Sequence, residues 1–141
     1  MFYQNLTFKY PSSDDYILNN LSLKIYKGDH IGIMGVTGSG KSTLVDLILG
    51  IITPNSGDIF CDDDSIFKNQ RNWRKLIGYV SQFPYLLDGS IIENVAVGIN
   101  KNNISEEQVL KSLEIANLKS FISQLNNGLN SPVGERGVQL S

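Results

Sequence analysis

Eight consecutive residues, Gly35-Val36-Thr37-Gly38-Ser39-Gly40-Lys41-Ser42, satisfy the pattern G-x-x-x-x-G-K-(S/T). In such a loop the glycines let the main chain curl, so that successive N–H groups point inward at phosphate oxygens. The helix that follows adds its own unpaired N–H groups and the positive end of its dipole. Lys41 would neutralise the β- and γ-phosphates, the Ser42 hydroxyl would bind Mg2+, and Thr43, one residue deeper, would hydrogen-bond the α-phosphate. The chemistry is positioning and electrostatic stabilisation at a nucleoside triphosphate. A glycine-rich turn that merely joins a strand to a helix is the bland alternative, but four fixed positions arise by chance in only about one in a few hundred chains of this size.

A loop of this kind needs a strand before it and a helix after it. The continuous apolar run Ile31-Gly32-Ile33-Met34 predicts a buried strand, and residues 42 to about 52 predict a helix with Leu44, Val45, Leu47, Ile48 and Ile51 apolar. The turn Thr53-Pro54-Asn55-Ser56-Gly57 stops that helix. Upstream, Leu6, Phe8 and Tyr10 share one parity and Leu21, Leu23 and Ile25 share one parity in the next segment, which predicts a half-exposed antiparallel sheet. Downstream, a short strand over 58–61 runs into Asp62-Asp63-Asp64, then a charged stretch with Arg71, Trp73, Arg74 and Lys75, then a second buried strand over 76–81. Ser90 with Glu93, and Ser105 with Gln108, have the spacing of reciprocal helix caps. The second of these helices carries Val109, Leu110, Leu113 and Ala116 along one stripe, and a shorter helix over about 121–125 ends at Asn127-Gly128.

Phosphoryl transfer also requires a carboxylate near Mg2+. Two apolar runs end in acid, one at Asp62-Asp63 and one at Asp88. Three adjacent like charges at 62–64 favour a solvated turn, and Asp88, between Pro84 and Gly89, reads as a loop. His30 reads as a turn or strand-edge residue, and Trp73 with its basic neighbours as a solvated helix face rather than a nucleic-acid platform.

The composition bounds the rest. A chain of 141 residues fits one domain, and 12 basic against 14 acidic residues give a net charge of −2, which excludes a disordered polyelectrolyte and an electrostatically driven nucleic-acid binder. The run over 47–52, interrupted by Gly50, falls far short of the ~18–20 residues that cross a bilayer, so no direct membrane insertion is expected and the chain alone should be soluble. One cysteine and one histidine cannot make an internal disulfide or a multi-His metal site.

Taken in order, these segments resemble the nucleotide-binding domain of ATP-binding cassette transporters of the exporter type. Leu21-Ser22-Leu23-Lys24-Ile25, Gly28-Asp29 and Ile31-Gly32-Ile33 look like the family's approach to the phosphate loop. Ile77-Gly78-Tyr79-Val80-Ser81-Gln82 is similar to its Q-loop, and Leu87-Asp88-Gly89-Ser90-Ile91-Ile92-Glu93-Asn94-Val95 to the exporter continuation. Val133-Gly134-Glu135-Arg136-Gly137-Val138-Gln139-Leu140-Ser141 resembles the exporter X-loop running into the first letters of the L-S-G-G-Q signature.

The resemblance implies an α/β fold, the P-loop NTPase of ABC ATPase type. An antiparallel β subdomain and phosphate-loop core would occupy about 1–85, and part of the helical subdomain 86–141. It implies ATP and Mg2+ as ligands. Tyr10, in Phe8-Lys9-Tyr10-Pro11, would stack on adenine, with Tyr16 as a competitor; Gly35, Thr37, Gly38, Ser39, Gly40, Lys41, Ser42 and Thr43 would hold the phosphates. Gln82 would touch Mg2+ or the water, and Ser141 would meet nucleotide in trans. Glu135 and Arg136 would face the membrane domains or form an exposed salt-bridged loop. The implied partners are a second nucleotide-binding domain, head to tail, and transmembrane domains, at the cytoplasmic side of a membrane. The rest of the signature, the acid-ending strand, the water-polarising glutamate and the switch histidine would lie beyond Ser141. The parallel sheet is then expected to be incomplete, with an exposed apolar edge, and the chain to bind ATP but hardly hydrolyse it. A stand-alone phosphate-loop kinase or GTPase, with Asp62 or Asp63 on the metal, is the alternative; it requires residues 59–61 parallel to and beside 31–34. A non-catalytic truncated piece is the other.

Overall fold

Strand β1 (Phe2–Phe8) places Tyr3, Leu6 and Phe8 in the core, a spacing that strict alternation forbids. Asn5 resolves it: with φ 52° it inserts an extra residue, and the pairing with β2 (Leu18–Lys24) slips between Tyr3 and Leu6. A second irregularity at Asn20 (φ 54°) answers it across the pair. The Asn5 N–H donates to Ser22 Oγ (3.0 Å) and the Asn20 N–H to Thr7 Oγ1 (3.2 Å), so both irregular amides are satisfied by side chains. Leu21 is half-buried while Leu23 is exposed, so the expected common parity of β2 holds only in part. These details come from a computed structural model that describes residues 1–134. The chain divides into two compact units, Met1–Tyr79 and Val80–Ser141.

In the first unit the sheet order is β2-β1-β3-β4, every pair antiparallel, with β3 at Ser56–Cys61 and β4 at Asp64–Ser65. Asp62 and Asp63, both at positive φ (49° and 70°), form the two-residue turn between β3 and β4. The acidic triplet is therefore the tip of a hairpin and fully solvated. Helix α1 (Lys41–Ile48) lays Leu44 and Leu47 onto Tyr3, Leu6, Phe8 and Ile59. The helix ends four residues sooner than the apolar pattern suggests. Gly50 N–H bonds the Leu47 carbonyl and Ile51 N–H reaches back to Asp46 (both 3.0 Å), the paired bonds that close a helix through a left-handed residue.

Helix α2 (Gln70–Arg74) begins at Asn69, whose side chain accepts from the Asn72 N–H. Its Trp73 is not a purely solvated residue: the indole N–H donates to the Ile48 carbonyl at 2.7 Å, taking one of the acceptors that α1 leaves open at its end. Trp73→Phe keeps most of the apolar contact and loses that bond. It is expected to lower stability by about 1 kcal/mol, seen as a fall in the urea midpoint with unchanged slope.

The two expected buried strands do not form. Residues 31–34 and 77–81 are irregular backbone without ladder partners, Leu76 closes the turn that follows α2, and Met34 and Val80 are 94% and 88% exposed. Burial on both faces is a property that neighbouring strands and covering helices confer on such a run. Among the described residues neither segment has a partner, and no parallel ladder forms.

In the second unit α3 (Ile91–Val95), α4 (Glu106–Ile115) and α5 (Lys119–Gln124) bury Ile91, Val109, Leu113 and Ile122 with Val133. The stripe on α4 is narrower than expected, because Leu110 and Ala116 stay exposed. Residues 131–133 return to pair with the start of α3: Ile91 N–H donates to Ser131 O (3.0 Å) and Val133 N–H to Gly89 O (2.8 Å). At Ser105 only half of the reciprocal cap forms, the Gln108 N–H donating to Ser105 Oγ. At Ser90 both halves are present. There Lys101, by a side-chain hydrogen bond, and then the Ser90 amide and hydroxyl hold the Glu93 carboxyl down at about 2. A depressed carboxyl contributes stability that is complete above its unfolded value near 4.5 and is lost as pH falls through about 2. Glu93→Gln should therefore lower the urea midpoint at neutral pH, and the two proteins should converge as pH falls from about 4.5 to 2. Among the described residues no helix is long and apolar enough to cross a membrane.

Candidate functional site

The phosphate-loop sequence joins the irregular 31–34 segment to α1, and its last glycine decides its shape. Gly40 is the residue before α1, with φ 87° and ψ 7°, a left-handed conformation that a Cβ would strain. A Cβ there would also stand 2.9 Å from Ile17 Cγ2 and 3.2 Å from the Ile17 carbonyl. The chain entering β2 thus presses directly on the loop. Because Gly40 has no side chain, nothing of its own caps α1, and the first-turn N–H groups remain open to an anion.

Lys41 folds back over the loop. Its Nζ donates to the carbonyls of Gly35 (2.8 Å) and Val36 (2.7 Å). An ammonium has three donors, so two fix its position and one is left for a ligand. Ile17, Gly38, Gly40, Lys41, Ser42 and Thr43 line a concavity of about 230 Å3. That is smaller than the roughly 300–1,000 Å3 that encloses a drug-sized molecule. It suits the anionic tail of a nucleotide, with the base outside it. Ser42 is exposed at the rim, where its hydroxyl could reach a cation held by that tail. Among the described residues no three His, Cys, Asp or Glu side chains gather closely enough to hold a metal by themselves.

Tyr10 reaches the same place from the end of β1. Its ring packs edge-on against Phe8 (5.0 Å between centroids, 86° between planes) and its hydroxyl lies 3.2 Å from Thr43 Oγ1, while the residue stays 38% exposed. The competing aromatic, Tyr16, lies instead beneath the Lys9 ammonium, 5.7 Å from its centroid. Tyr10, Gly38, Gly40, Lys41, Ser42 and Thr43 are therefore gathered with Ile17, and Gly35 takes part through its carbonyl. Thr37 and Ser39 sit on the exposed loop. Gln82 is an exposed residue of irregular backbone in the second unit. Glu135, Arg136 and Ser141 lie outside the described residues.

Ile17 escapes a reading of the sequence because it has no polar group. Only its place in the hairpin, where its N–H donates to the Phe8 carbonyl at 2.9 Å, marks it as the residue that meets the loop. The antiparallel pairing of β3 with β1 removes the kinase or GTPase alternative, which required residues 59–61 parallel to and beside 31–34.

Comparison with known proteins agrees. The ABC transporter family model matches residues 18–141. The chain is 41% identical to the alpha-hemolysin translocation ATP-binding protein HlyB of Escherichia coli O157:H7, over 99% of this chain and 20% of that protein. It is 39% identical to ABC transporter B family member 13 of Arabidopsis thaliana, over 99% of this chain and 11% of that protein. The solved structure of a bacterial Atm1-family ABC exporter with ATP bound superposes with a TM-score of 0.85 at 33% identity, covering 99% of this chain and 24% of that one. The chain spans about a tenth to a quarter of the length of these proteins. With its phosphate loop, its antiparallel sheet and its helices matched along nearly their whole length, the chain belongs to the ABC transporter family and carries the fold of that family's ATPase domain.

Proposed function

We propose that the chain is the ATP-binding portion of an ABC exporter or a flippase of lipid-linked substrates, where ATP binding and hydrolysis drive transport. The observation that carries this reading is the Lys41 ammonium, tied by two carbonyls at the mouth of an uncapped helix with a hydrogen-bond donor to spare. The loop amides and Lys41 would bind the β- and γ-phosphates, Thr43 the α-phosphate, and Tyr10 the base. Mg2+ would supply charge neutralisation between the phosphates, held on the protein side by the Ser42 hydroxyl. We read residues 1–85 as β subdomain and phosphate-loop core and 86–141 as helical subdomain. The partners we infer are a second such domain, head to tail, and transmembrane domains, on the cytoplasmic side of a membrane; that the relatives named above are a transporter, a translocation protein and an exporter supports the membrane partner. Hydrolysis by the 141 residues alone is expected to be slow or absent, because among the described residues no three His, Cys, Asp or Glu side chains gather to support a metal beside the phosphates. Calorimetric titration of the folded chain with MgATP should give saturable heat, and no heat from well-folded protein would overturn the reading.

A further inference from the structure

We propose that Tyr10 positions the α-phosphate as well as the base, through a hydroxyl relay to Thr43. The inference rests on the nucleotide-binding reading above. The Tyr10 hydroxyl and Thr43 Oγ1 are 3.2 Å apart, and Thr43 is 94% buried at the floor of the phosphate cradle. Without ligand either oxygen can donate. A phosphate oxygen only accepts, so a bound α-phosphate requires the single Thr43 proton, and Thr43 Oγ1 must then accept from Tyr10. The direction of the bond is thereby set: Tyr10 O–H to Thr43 O–H to phosphate. Donation from Tyr10 polarises the Thr43 hydroxyl and fixes its rotation, which strengthens the second bond and spares the cost of orienting it. The phenol ring is anchored edge-on to Phe8, so the relay also fixes the distance between the aromatic face and the phosphate loop.

The test separates the hydroxyl from the ring by using Mg2+-tripolyphosphate, which has phosphates and no base, beside MgATP. For the relay, Tyr10→Phe should weaken both ligands by roughly 3- to 10-fold, the range of one net hydrogen bond. In a Thr43→Val background Tyr10→Phe should have no further effect, and Thr43→Ser, which retains a hydroxyl, should restore most of the affinity lost in Thr43→Val. Thermal unfolding of each variant verifies that the fold is kept. If Tyr10→Phe leaves both affinities unchanged while Tyr10→Ala weakens only MgATP, Tyr10 acts by stacking alone and the relay is overturned, with the nucleotide-binding reading intact. If Tyr10→Phe tightens binding, the hydroxyl competes with phosphate for Thr43 and the relay is again overturned. Failure of the folded parent chain to bind either ligand removes both readings.

Discussion

Lys41→Ala is expected to weaken MgATP binding by roughly 10- to 100-fold, the cost of losing a hydrogen bond to a charged group, while the unfolding midpoint stays close to that of the parent. The separation of the two effects follows from the contacts. Among the described residues the Lys41 ammonium hydrogen-bonds only the carbonyls of Gly35 and Val36, and both belong to exposed loop residues that water can satisfy once the side chain is gone. What water cannot replace is a positive charge held beside the open N–H groups of α1. Lys41→Met, which keeps length and removes charge, should reproduce the loss. Equal affinities in parent and both variants would remove Lys41 from the phosphate site.

The shape of the loop was readable from residues because it is set by main-chain and charged groups at fixed spacing. Gly40 takes the left-handed conformation that a glycine there allows and leaves the helix start bare, and the Lys41 ammonium bridges two loop carbonyls. The Ser90–Glu93 cap was equally legible, since both bonds are local. What the sequence hides is set by neighbours. Residues 31–34 and 76–81 have the composition of buried strands, yet a strand exists only with a partner, and among the described residues these two have none. Apolar content alone could not distinguish them from Ile59, which is fully buried because β1 lies alongside. The bulge at Asn5 was invisible for another reason. It changes parity midway along β1, so Tyr3 joins Leu6 and Phe8 in the core against the period of two. The end of α1 at Ile48 was misplaced because Leu49, Ile51 and Ile52 continue an apolar pattern beyond the point where Gly50 turns the chain.

The bulge also dictates the largest expected loss of stability. Gly57, at φ 80°, is the second residue of β3 and lies where its pairing with β1 shifts, and a Cβ built on it would stand 2.5 Å from the carbonyl oxygens of both Gln4 and Asn5. Gly57→Ala therefore meets two penalties. The left-handed backbone costs an L-residue about 1–2 kcal/mol. Separating two main chains that cannot yield by rotating a side chain adds about 1–3 kcal/mol. The expected loss is about 2–5 kcal/mol, a large share of the ~5–15 kcal/mol by which a domain is stable. Gly28→Ala isolates the first term, because Gly28 has φ 91° with nothing within 4 Å of the added carbon. Urea unfolding should place Gly57→Ala well below Gly28→Ala, and equal midpoints would show that β1 and β3 part freely at the bulge. They should not part freely. The pairing there places Tyr3 opposite Ile59, and these two with Leu6 and Phe8 are the surface on which Leu44 and Leu47 of α1 rest. A methyl group at 57 thus works against the seat of the helix whose first turn lines the proposed phosphate site, and MgATP affinity should fall along with stability in this variant, whereas in Lys41→Ala it falls alone.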